Sequence, residues 1–169
     1  NKGITLAEAM IGCGMNPKDY LKASRKGEDI KAYLELHVEQ GKVLECANLS
    51  VGVVTGIASS LRLMLTVTGK ADHAGATPMN LRFDALTAAA QIIGVVEKEA
   101  RATKSGVGTV GKIQAFPGGI NIIPERVEFT VDMRDVSVEV AEQLETRIIT
   151  QAKDICLQRG LTLKIDILQ

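Results

Sequence analysis

The order of strand-like and helix-like segments between residues 60 and 169 constrains the fold of this chain more than any other feature. In a β-strand, side chains alternate between two faces, so apolar residues recur at every second position. The sharpest alternation runs from Val127 to Arg134. Strands are predicted for four segments: Leu61–Val67, Val107–Phe116, Val127–Arg134 and Leu161–Ile167.

Two segments between these strands have the spacing of amphipathic helices. Apolar residues recur every three or four positions from Ala85 to Val96 and from Ala141 to Ile155. Ser137 is placed to cap the second helix, and Gly160 is placed to end it. The order β-α-β-β-α-β is that of the ferredoxin-like fold. The sequence therefore predicts an α+β domain with a four-stranded antiparallel sheet, both helices on one face, and polar residues including Arg134 on the other.

Residues 1–56 are less able than residues 60–169 to fold on their own. Thr5 is placed to cap a short helix, Ile30–Val38 is a candidate buried strand, and Gly52–Ile57 is a candidate for a second, shorter strand. Two strands and a short helix bury too little surface to be stable alone. The sequence also begins without an initiator Met or a signal-peptide pattern. We expect a remnant of a larger α/β domain from a longer gene product.

Composition excludes several classes of function. The 20 Lys and Arg residues balance 20 Asp and Glu residues, which argues against binding of nucleic acid or an anionic membrane through a basic surface. No apolar run approaches the roughly 20 residues of a membrane span. The three cysteines, Cys13, Cys46 and Cys156, are odd in number and widely spaced, which favours a reducing, cytoplasmic compartment. Nucleotide-binding loops, a serine-hydrolase elbow and a His-Glu-x-x-His motif are absent from the sequence.

The two histidines are the first candidates for chemistry. His37 lies near the end of the apolar segment Ile30–Val38, and strand ends in α/β sheets are where ligands collect. It is either a metal ligand or a structural histidine in a strand-to-helix turn. His73 lies between a strand and a helix, among small residues that let a ligand approach. It either donates a hydrogen bond to a substrate oxygen or hydrogen-bonds within its own turn.

Asn121 and Arg134 are the other polar candidates. Asn121 lies in the turn Gly118–Pro124, where its amide either caps the turn or contacts a ligand. Arg134 ends the most regular strand on its polar face, where a guanidinium suits a carboxylate ligand. The alternative for Arg134 is a surface charge paired with Asp132 or Asp135.

Four motifs, taken together, resemble those of a known enzyme family. They are LELHVEQGKVLE (residues 34–45), HAGATPM (73–79), FPGGINIIP (116–124) and FTVDMRD (129–135). In this order they resemble the dinuclear-metal amidohydrolases, which include N-carbamoyl-L-amino acid hydrolases, allantoate amidohydrolases and β-ureidopropionases. These enzymes belong to the wider aminoacylase and carboxypeptidase metallopeptidase clan. The resemblance covers nearly the whole chain.

The resemblance implies a division of the chain. Family members have a catalytic α/β domain that is interrupted by a smaller lid and dimerisation domain with the order βαββαβ. By this resemblance, residues 1–56 are a remnant of the metal-binding catalytic domain, and residues 60–169 are the lid and dimerisation domain. The implied partner is a second copy of the chain, bound through the lid to form a homodimer.

The resemblance also implies a metal site, of which this chain contains one ligand. His37 matches a metal-ligand histidine of the family, and Gln40 matches a glutamine that contacts substrate. The implied cofactors are two divalent ions, with Mn, Zn, Co and Ni all suited to mixed His and carboxylate ligands. The family's other ligands and its general-base glutamate have no counterpart, since Glu35 and Glu39 do not match it. The chain alone is therefore expected to be inactive and to hold no metal pair tightly.

Four residues of the lid match substrate-contacting positions of the family. His73 matches the histidine that reaches the active site of the partner subunit and polarises the scissile carbonyl. Asn121 and Arg134 match the pair that holds the substrate carboxylate, and Gly119 lies beside that pocket.

The activity implied by the resemblance is hydrolysis of the carbamoyl C–N bond of N-carbamoyl-L-amino acids to the amino acid, CO2 and ammonia. Allantoate amidohydrolase is the alternative, because both substrates present a carboxylate and a ureido group. An alternative of another class is a stand-alone ferredoxin-like dimerisation or binding module without catalysis.

Overall fold

The computed structural model describes residues 3–27 and 29–168. Asn1, Lys2, Glu28 and Gln169 lie outside the described residues. Contacts within the chain divide it into two compact units, residues 1–52 and residues 53–169.

The first unit contains three short helices: α1 (Leu6–Gly12), a 3₁₀ helix (Pro17–Ala23) and α2 (Val43–Cys46). Thr5 caps α1 as predicted. Its hydroxyl accepts a hydrogen bond from the Glu8 N–H (3.3 Å), and the Glu8 carboxylate accepts one from the Thr5 N–H (2.8 Å). This reciprocal capping box satisfies two N–H groups that a helix N-terminus leaves without partners. None of the three helices buries a side chain, so local hydrogen bonds define them.

The predictions of a buried strand at Ile30–Val38 and of a second strand at Gly52–Ile57 are wrong. Neither segment forms a strand, and Leu34 and Leu36 are 97% and 94% exposed. A continuous apolar run is stable as a strand only between neighbouring strands and with both faces covered. The described residues of the first unit contain no strand and no covering layer, so the apolar pattern has nothing to pair with.

The second unit has the predicted βαββαβ order, with two additional two-residue strands. Its elements are β1 (Ser59–Thr68), β2 (Asp72–His73), α3 (Ala85–Arg101), β3 (Val107–Phe116), β4 (Ile122–Ile123), β5 (Arg126–Asp135), α4 (Val138–Gln158) and β6 (Thr162–Ile167). A 3₁₀ helix, Met79–Leu81, precedes α3. The four long strands form one antiparallel sheet in the order β3-β5-β1-β6, and β2 pairs with β4 separately. The predicted α+β, ferredoxin-like architecture is confirmed.

Side chains at the helix ends set the limits of α3 and α4. The Asp84 carboxylate accepts hydrogen bonds from the N–H groups of Leu86 (2.9 Å) and Thr87 (3.1 Å) at the start of α3. Ser137 caps α4 as predicted, because its hydroxyl accepts from the Val140 N–H (3.3 Å). Gly160 follows α4 with φ of +67°, the left-handed conformation that ends helices and that glycine adopts without strain.

The hydrophobic core lies between the sheet and the two helices. Alternate residues of β1 and β5 face the helices, and small and branched residues of α3 and α4 pack onto them. Its fully buried members include Leu63, Leu65, Val67, Ala85, Ala88, Ala89, Ile92, Val127, Phe129, Leu144, Ile148 and Ala152. Among the described residues of the second unit, no helix packs on the opposite face of the sheet, which carries the polar members of β1 and β5.

One buried charge joins the two helices. Glu99 of α3 is 7% exposed and accepts hydrogen bonds from Gln151 Nε2 (2.9 Å) and Arg147 Nε (3.0 Å) of α4. The hydrogen bonds from Gln151 and Arg147 keep the pKa of the Glu99 carboxyl below its ordinary value. The ionised carboxylate therefore fixes how α3 and α4 are placed along each other.

Replacing Phe129 with alanine tests the core directly. Phe129 is fully buried on the central strand β5, so Phe129→Ala leaves a cavity beneath both helices. We expect the free energy of unfolding to fall by about 3–5 kcal/mol in chemical denaturation. Leu157→Ala, on the exposed side of α4, is the control and should change it by less than about 0.5 kcal/mol. Equal effects of the two substitutions would contradict this description of the core.

Candidate functional site

The small β2–β4 sheet brings three of the predicted site residues together. His73 lies opposite Ile122 in the register of β2 and β4. The Ala74 N–H donates to the Asn121 carbonyl (2.9 Å), and the Ile122 N–H donates to the Gly119 carbonyl (3.3 Å). The loop that contains His73 and the turn that contains Gly119 and Asn121 therefore form one exposed cluster at one end of the main sheet.

Hydrogen bonds within its own loop determine the tautomer of His73. The N–H groups of Gly75 (3.0 Å) and Ala76 (3.1 Å) both donate to Nδ1 of the His73 ring. A nitrogen that accepts these bonds carries no proton, so a neutral His73 carries its proton on Nε2. The loop hydrogen bonds that the sequence left as an alternative are thus present, and they leave an N–H donor on the exposed side of the ring.

Arg82 holds the His73 loop through its guanidinium. Its Nη2 donates to the Ala74 carbonyl (2.6 Å), and its Nε donates to the Thr77 carbonyl (3.0 Å). A guanidinium that bridges two carbonyls stiffens the loop between them. No sequence motif indicates this role, because the acceptors are backbone groups that every residue has.

Arg134 lies on the open face of the sheet in a cluster of three charges. Its Nε donates to Oδ1 of Asp132 (2.7 Å), and its Nη2 donates to Oδ2 (2.9 Å). Arg62 of β1, directly opposite Asp132 in the strand register, donates from Nε to Oδ2 (3.0 Å). The ion pair with Asp132, one of the alternatives for Arg134, is therefore present. Asp135 instead is buried, where it accepts hydrogen bonds from the Ser105 hydroxyl (3.0 Å).

The two arginines act on the ionisation of Asp132. The hydrogen bonds and charges of Arg134, and secondly of Arg62, lower the pKa of the Asp132 carboxyl from 3.8 to about 2, although partial burial opposes them. Asp132 thus stays ionised across the neutral and mildly acidic range. The sequence pattern placed Asp132 on the polar face, but its bond to Arg62 crosses 70 residues of chain.

Arg134 does not lie near His73 and Asn121 within one chain. Arg134 pairs with Ser60 and Val107 at one end of the sheet. The loops that carry His73 and Asn121 leave from the other end, where Thr68 and Phe116 both lie opposite Arg126. The eight residue steps from Arg126 to Arg134 along β5 correspond to about 26 Å at the usual rise of a strand.

His37 and Gln40 lie in the first unit, in a turn that leads to α2. The Glu39 carboxylate accepts hydrogen bonds from the N–H groups of Val43 (2.7 Å) and Leu44 (3.0 Å) and so caps this helix. Gln40 has φ of +53°, a conformation that is uncommon outside glycine and is often found at functional sites. Nδ1 of His37 lies 2.5 Å from the Val38 carbonyl, which can only accept, so Nδ1 carries the proton of this hydrogen bond.

The described residues do not assemble a complete metal site. Within residues 3–27 and 29–168, no group of three or more His, Cys, Asp and Glu side chains could hold a metal ion. His37 has the arrangement of a metal-ligand histidine, with one ring nitrogen bound to a carbonyl and the other available. His37 supplies at most one ligand, so the described residues by themselves do not define a metal-dependent catalytic step. In the same described ranges, no helix has the length and apolar character needed to cross a membrane.

Comparison with known protein families identifies the second unit. The model of the peptidase dimerisation domain of the M20 type matches residues 55–159. The chain belongs to this family. The match confirms the resemblance drawn from the four motifs and covers β1 to α4 of the peptidase dimerisation domain. The assignment of residues 1–56 to a metal-binding catalytic domain stays a prediction.

Several relatives carry names of amidohydrolases. The chain is 52% identical to an N-carbamoyl-L-amino acid amidohydrolase of Geobacillus stearothermophilus, over 99% of this chain and 41% of that protein. It is 38% identical to an allantoate amidohydrolase of Bacillus subtilis, over 97% of this chain and 40% of that protein. A crystal structure of a hydantoinase/carbamoylase family amidase from Burkholderia ambifaria superposes with a TM-score of 0.85 at 32% identity, over 99% of this chain and 40% of that one. The chain thus spans about two fifths of the length of these relatives.

The low pKa of Asp132 makes stability depend on pH in a defined range. Since folding lowers this pKa from 3.8 to about 2, Asp132 stabilises the folded state above about pH 4, and this stabilisation is lost as the pH falls through 2. We expect the unfolding free energy of the wild type to drop by up to about 2 kcal/mol more than that of Asp132→Asn between these limits. Denaturant titrations at several pH values measure the difference, and parallel curves would contradict it.

Proposed function

We propose that this chain is the lid and substrate-recognition part of a metal-dependent amidohydrolase that cleaves the carbamoyl C–N bond of N-carbamoyl-L-amino acids to the amino acid, CO2 and ammonia. The observation that carries the proposal is the 52% identity with the N-carbamoyl-L-amino acid amidohydrolase, which extends over 99% of the chain. Such a substrate has two polar ends, a carboxylate and a carbamoyl carbonyl. The second unit offers a group suited to each of them.

The carboxylate of the substrate suits Arg134. Its side chain is 46% exposed on the open face, where the guanidinium donates hydrogen bonds to Asp132. The carbamoyl oxygen suits His73, whose Nε2–H is a donor that can stabilise negative charge as it develops on that oxygen. Asn121 is proposed to bind the carboxylate together with Arg134, and Gly119 leaves room beside it.

A single copy of the chain does not offer both groups to one small substrate, because about 26 Å of strand separates them. Two copies in a homodimer remove this difficulty if each site takes Arg134 from one subunit and His73 and Asn121 from its partner. The family match, a dimerisation domain, supports such a pairing.

Strand β3 is the edge that we propose for pairing of the lids. It has ten residues, whereas the opposite edge strand β6 has six. If two β3 strands pair antiparallel about a two-fold axis, the Phe116 end of one lies beside the Val107 end of the other. Arg134 lies opposite Val107, so two strand spacings, about 10 Å, separate it from the Phe116 end of the second copy's β3, which leads into the turn with Asn121. Pairing along β6 puts at least one more strand between them.

The metal ions are proposed for the whole protein and not for this chain alone. We propose two divalent ions, Mn, Zn, Co or Ni, to which the chain contributes His37, while Gln40 contacts substrate nearby. The isolated chain is expected to be inactive and to bind no metal pair tightly. A reducing, cytoplasmic setting is supported by its three unpaired cysteines, and neither nucleic acid nor a membrane is a proposed partner.

Allantoate hydrolysis is the second candidate, and the similarity to the allantoate amidohydrolase favours it. Both substrates carry a carboxylate and a ureido group, so Arg134, Asn121 and His73 suit either. Steady-state turnover of the whole protein on N-carbamoyl amino acids and on allantoate distinguishes them, since a preference for allantoate would reject the first choice. If the whole protein turns over neither substrate, the alternative of a binding module without catalysis is favoured.

Removal of the Arg134 guanidinium tests the carboxylate site. In the whole protein, we expect Arg134→Ala to reduce kcat/KM by about 30-fold to 1000-fold, because a charge pair with the substrate is lost. Arg134→Lys keeps the charge but loses the planar fork, so an intermediate loss is expected. Arg159→Ala, at the end of α4 on the helix side of the sheet, is the control. A kcat/KM unchanged by Arg134→Ala would reject the assignment.

Mixed dimers test whether each site uses both subunits. Variants Arg134→Ala and His73→Ala of the whole protein are each expected to be nearly inactive. After subunit exchange, half of the dimers are mixed and hold one intact site, so about a quarter of wild-type activity should return. If both residues served the same site from one subunit, no activity would return. Light scattering before and after mixing checks that dimers are present.

A further inference from the structure

The peptide between Ala74 and Gly75 connects Arg82 with the ring of His73. Its carbonyl oxygen accepts a hydrogen bond from Arg82 Nη2 (2.6 Å), and its N–H donates to His73 Nδ1 (3.0 Å). A trans peptide is planar, so its C=O and its N–H point in opposite directions. A guanidinium that fixes the carbonyl on one side therefore also directs the N–H on the other side towards the ring.

Gly75 makes this orientation of the peptide one of two that the turn could adopt. The N–H groups of Ala76 (3.3 Å) and Thr77 (3.0 Å) donate to the His73 carbonyl, so this segment forms one tight turn. Reversing the central peptide of a turn requires a positive φ at the residue that follows it, which glycine adopts without strain. Gly75 does not have a positive φ here. A reversed peptide would present the Ala74 carbonyl to Nδ1, and an oxygen that can only accept favours a proton on that nitrogen.

A second carbonyl of the same loop anchors Arg82. Its Nε donates to the Thr77 carbonyl while its Nη2 donates to the Ala74 carbonyl. Two donors of one rigid, planar group set both the distance and the angle between the two carbonyls. The positive charge also polarises the peptide that follows Ala74, which strengthens the hydrogen bond that its N–H donates. A lysine would supply the charge but not the planar pair of donors.

We propose that Arg82 is a positioning residue that keeps the neutral His73 ring in the tautomer with its proton on Nε2. Arg82 holds the Ala74 carbonyl away from the ring, so the Gly75 N–H faces Nδ1. The exposed Nε2–H is the donor assigned above to the carbamoyl oxygen of the substrate. This role rests on the proposed function for its part in catalysis, whereas the tautomer can be measured without turnover.

The chain has two histidines, which makes the tautomer of each ring measurable. The 169-residue chain is labelled with ¹⁵N-histidine, and the ring nitrogens are recorded at about pH 9, above the range in which imidazole usually titrates. Protonated and unprotonated nitrogens of a neutral imidazole have well separated ¹⁵N shifts, and His73→Gln assigns the signals by their loss. We expect the Nε2–H tautomer for His73. For His37, whose Nδ1 faces a carbonyl, we expect the opposite tautomer.

Removal of the Arg82 guanidinium is the decisive change. In Arg82→Met, which keeps a long side chain, we expect the Nδ1–H share of His73 to rise by about threefold to tenfold, because a hydrogen bond that favours the other tautomer is weakened or lost. Arg82→Lys should give a smaller rise, since it keeps the charge. The His37 signals should stay the same in both variants.

Arg101→Met is the matched control. Arg101 is an exposed arginine at the last position of α3, about 24 Å along the helix from its start near Arg82. Its removal takes away one guanidinium without touching the loop of His73. We expect the tautomer ratio of His73 to be that of the wild type in this variant.

Kinetics of the whole protein extend the test to catalysis. A donor that acts on developing charge contributes to the chemical step more than to substrate binding. We expect Arg82→Met to lower kcat by about tenfold and to leave KM within about twofold of wild type. Arg101→Met should change neither constant.

Two outcomes would overturn the inference: Nδ1–H as the main tautomer of His73 in the wild type, or an unchanged tautomer ratio in the folded Arg82 variants. A purely structural role of Arg82 would lower the melting temperature and leave the tautomer of the folded molecules unchanged. Circular dichroism and backbone amide spectra therefore check folding first. If Arg82→Met does not fold, the wild type and Arg82→Lys decide.

Failure of the positioning role and failure of the proposed function are distinguishable. If the tautomer responds as expected but the whole protein does not hydrolyse N-carbamoyl amino acids, the role of Arg82 in setting the tautomer stands and the proposed function fails. If the whole protein hydrolyses these substrates and the tautomer does not respond to the Arg82 variants, the positioning role alone fails.

Discussion

Burial of one face of β5 is the constraint on which the rest of the second unit depends. Val127, Phe129 and Val131 of this central strand lie beneath both helices, and a shift of one residue would turn them to solvent. The register with β1 and β3 is therefore fixed by the core. The same register places Asp132 and Arg134 on the opposite face, so the core determines where the charged cluster lies.

The charged cluster is assembled by register and not by neighbours in sequence. Arg62 meets Asp132 because β1 and β5 run antiparallel with these two residues directly opposite. Arg134 joins them because residues two apart on a strand share a face. A rigid sheet with a packed core beneath it is a suitable support for such a cluster, since none of the three side chains belongs to a loop.

Much of the fold could be predicted from the sequence, because long strands and helices carry a periodic pattern and their ends carry specific residues. Ser137 and Gly160 are examples, and the alternation along β5 predicts the face on which Arg134 lies. The two-residue strands β2 and β4 are too short to show a periodic pattern of apolar residues. The role of Arg82 is also hidden in the sequence, because it donates to backbone carbonyls, which every residue has. The prediction of a buried strand at Ile30–Val38 was wrong for a different reason. Apolar character predicts burial only where neighbouring strands or a covering layer exist to pack against it.

The separation of the candidate site into two clusters follows from the topology. In a βαββαβ sheet, the connections β1–α3 and β3–β5 both leave from the end where Thr68 and Phe116 lie, so the loops with His73 and Asn121 must meet there. A residue near the end of β5, such as Arg134, must lie at the other end. Chemistry that needs both ends on one small substrate therefore requires a second copy of the same domain in the opposite orientation. A two-fold axis supplies that orientation, so the proposed pairing of two lids and the proposed recognition of substrate would depend on the same domain.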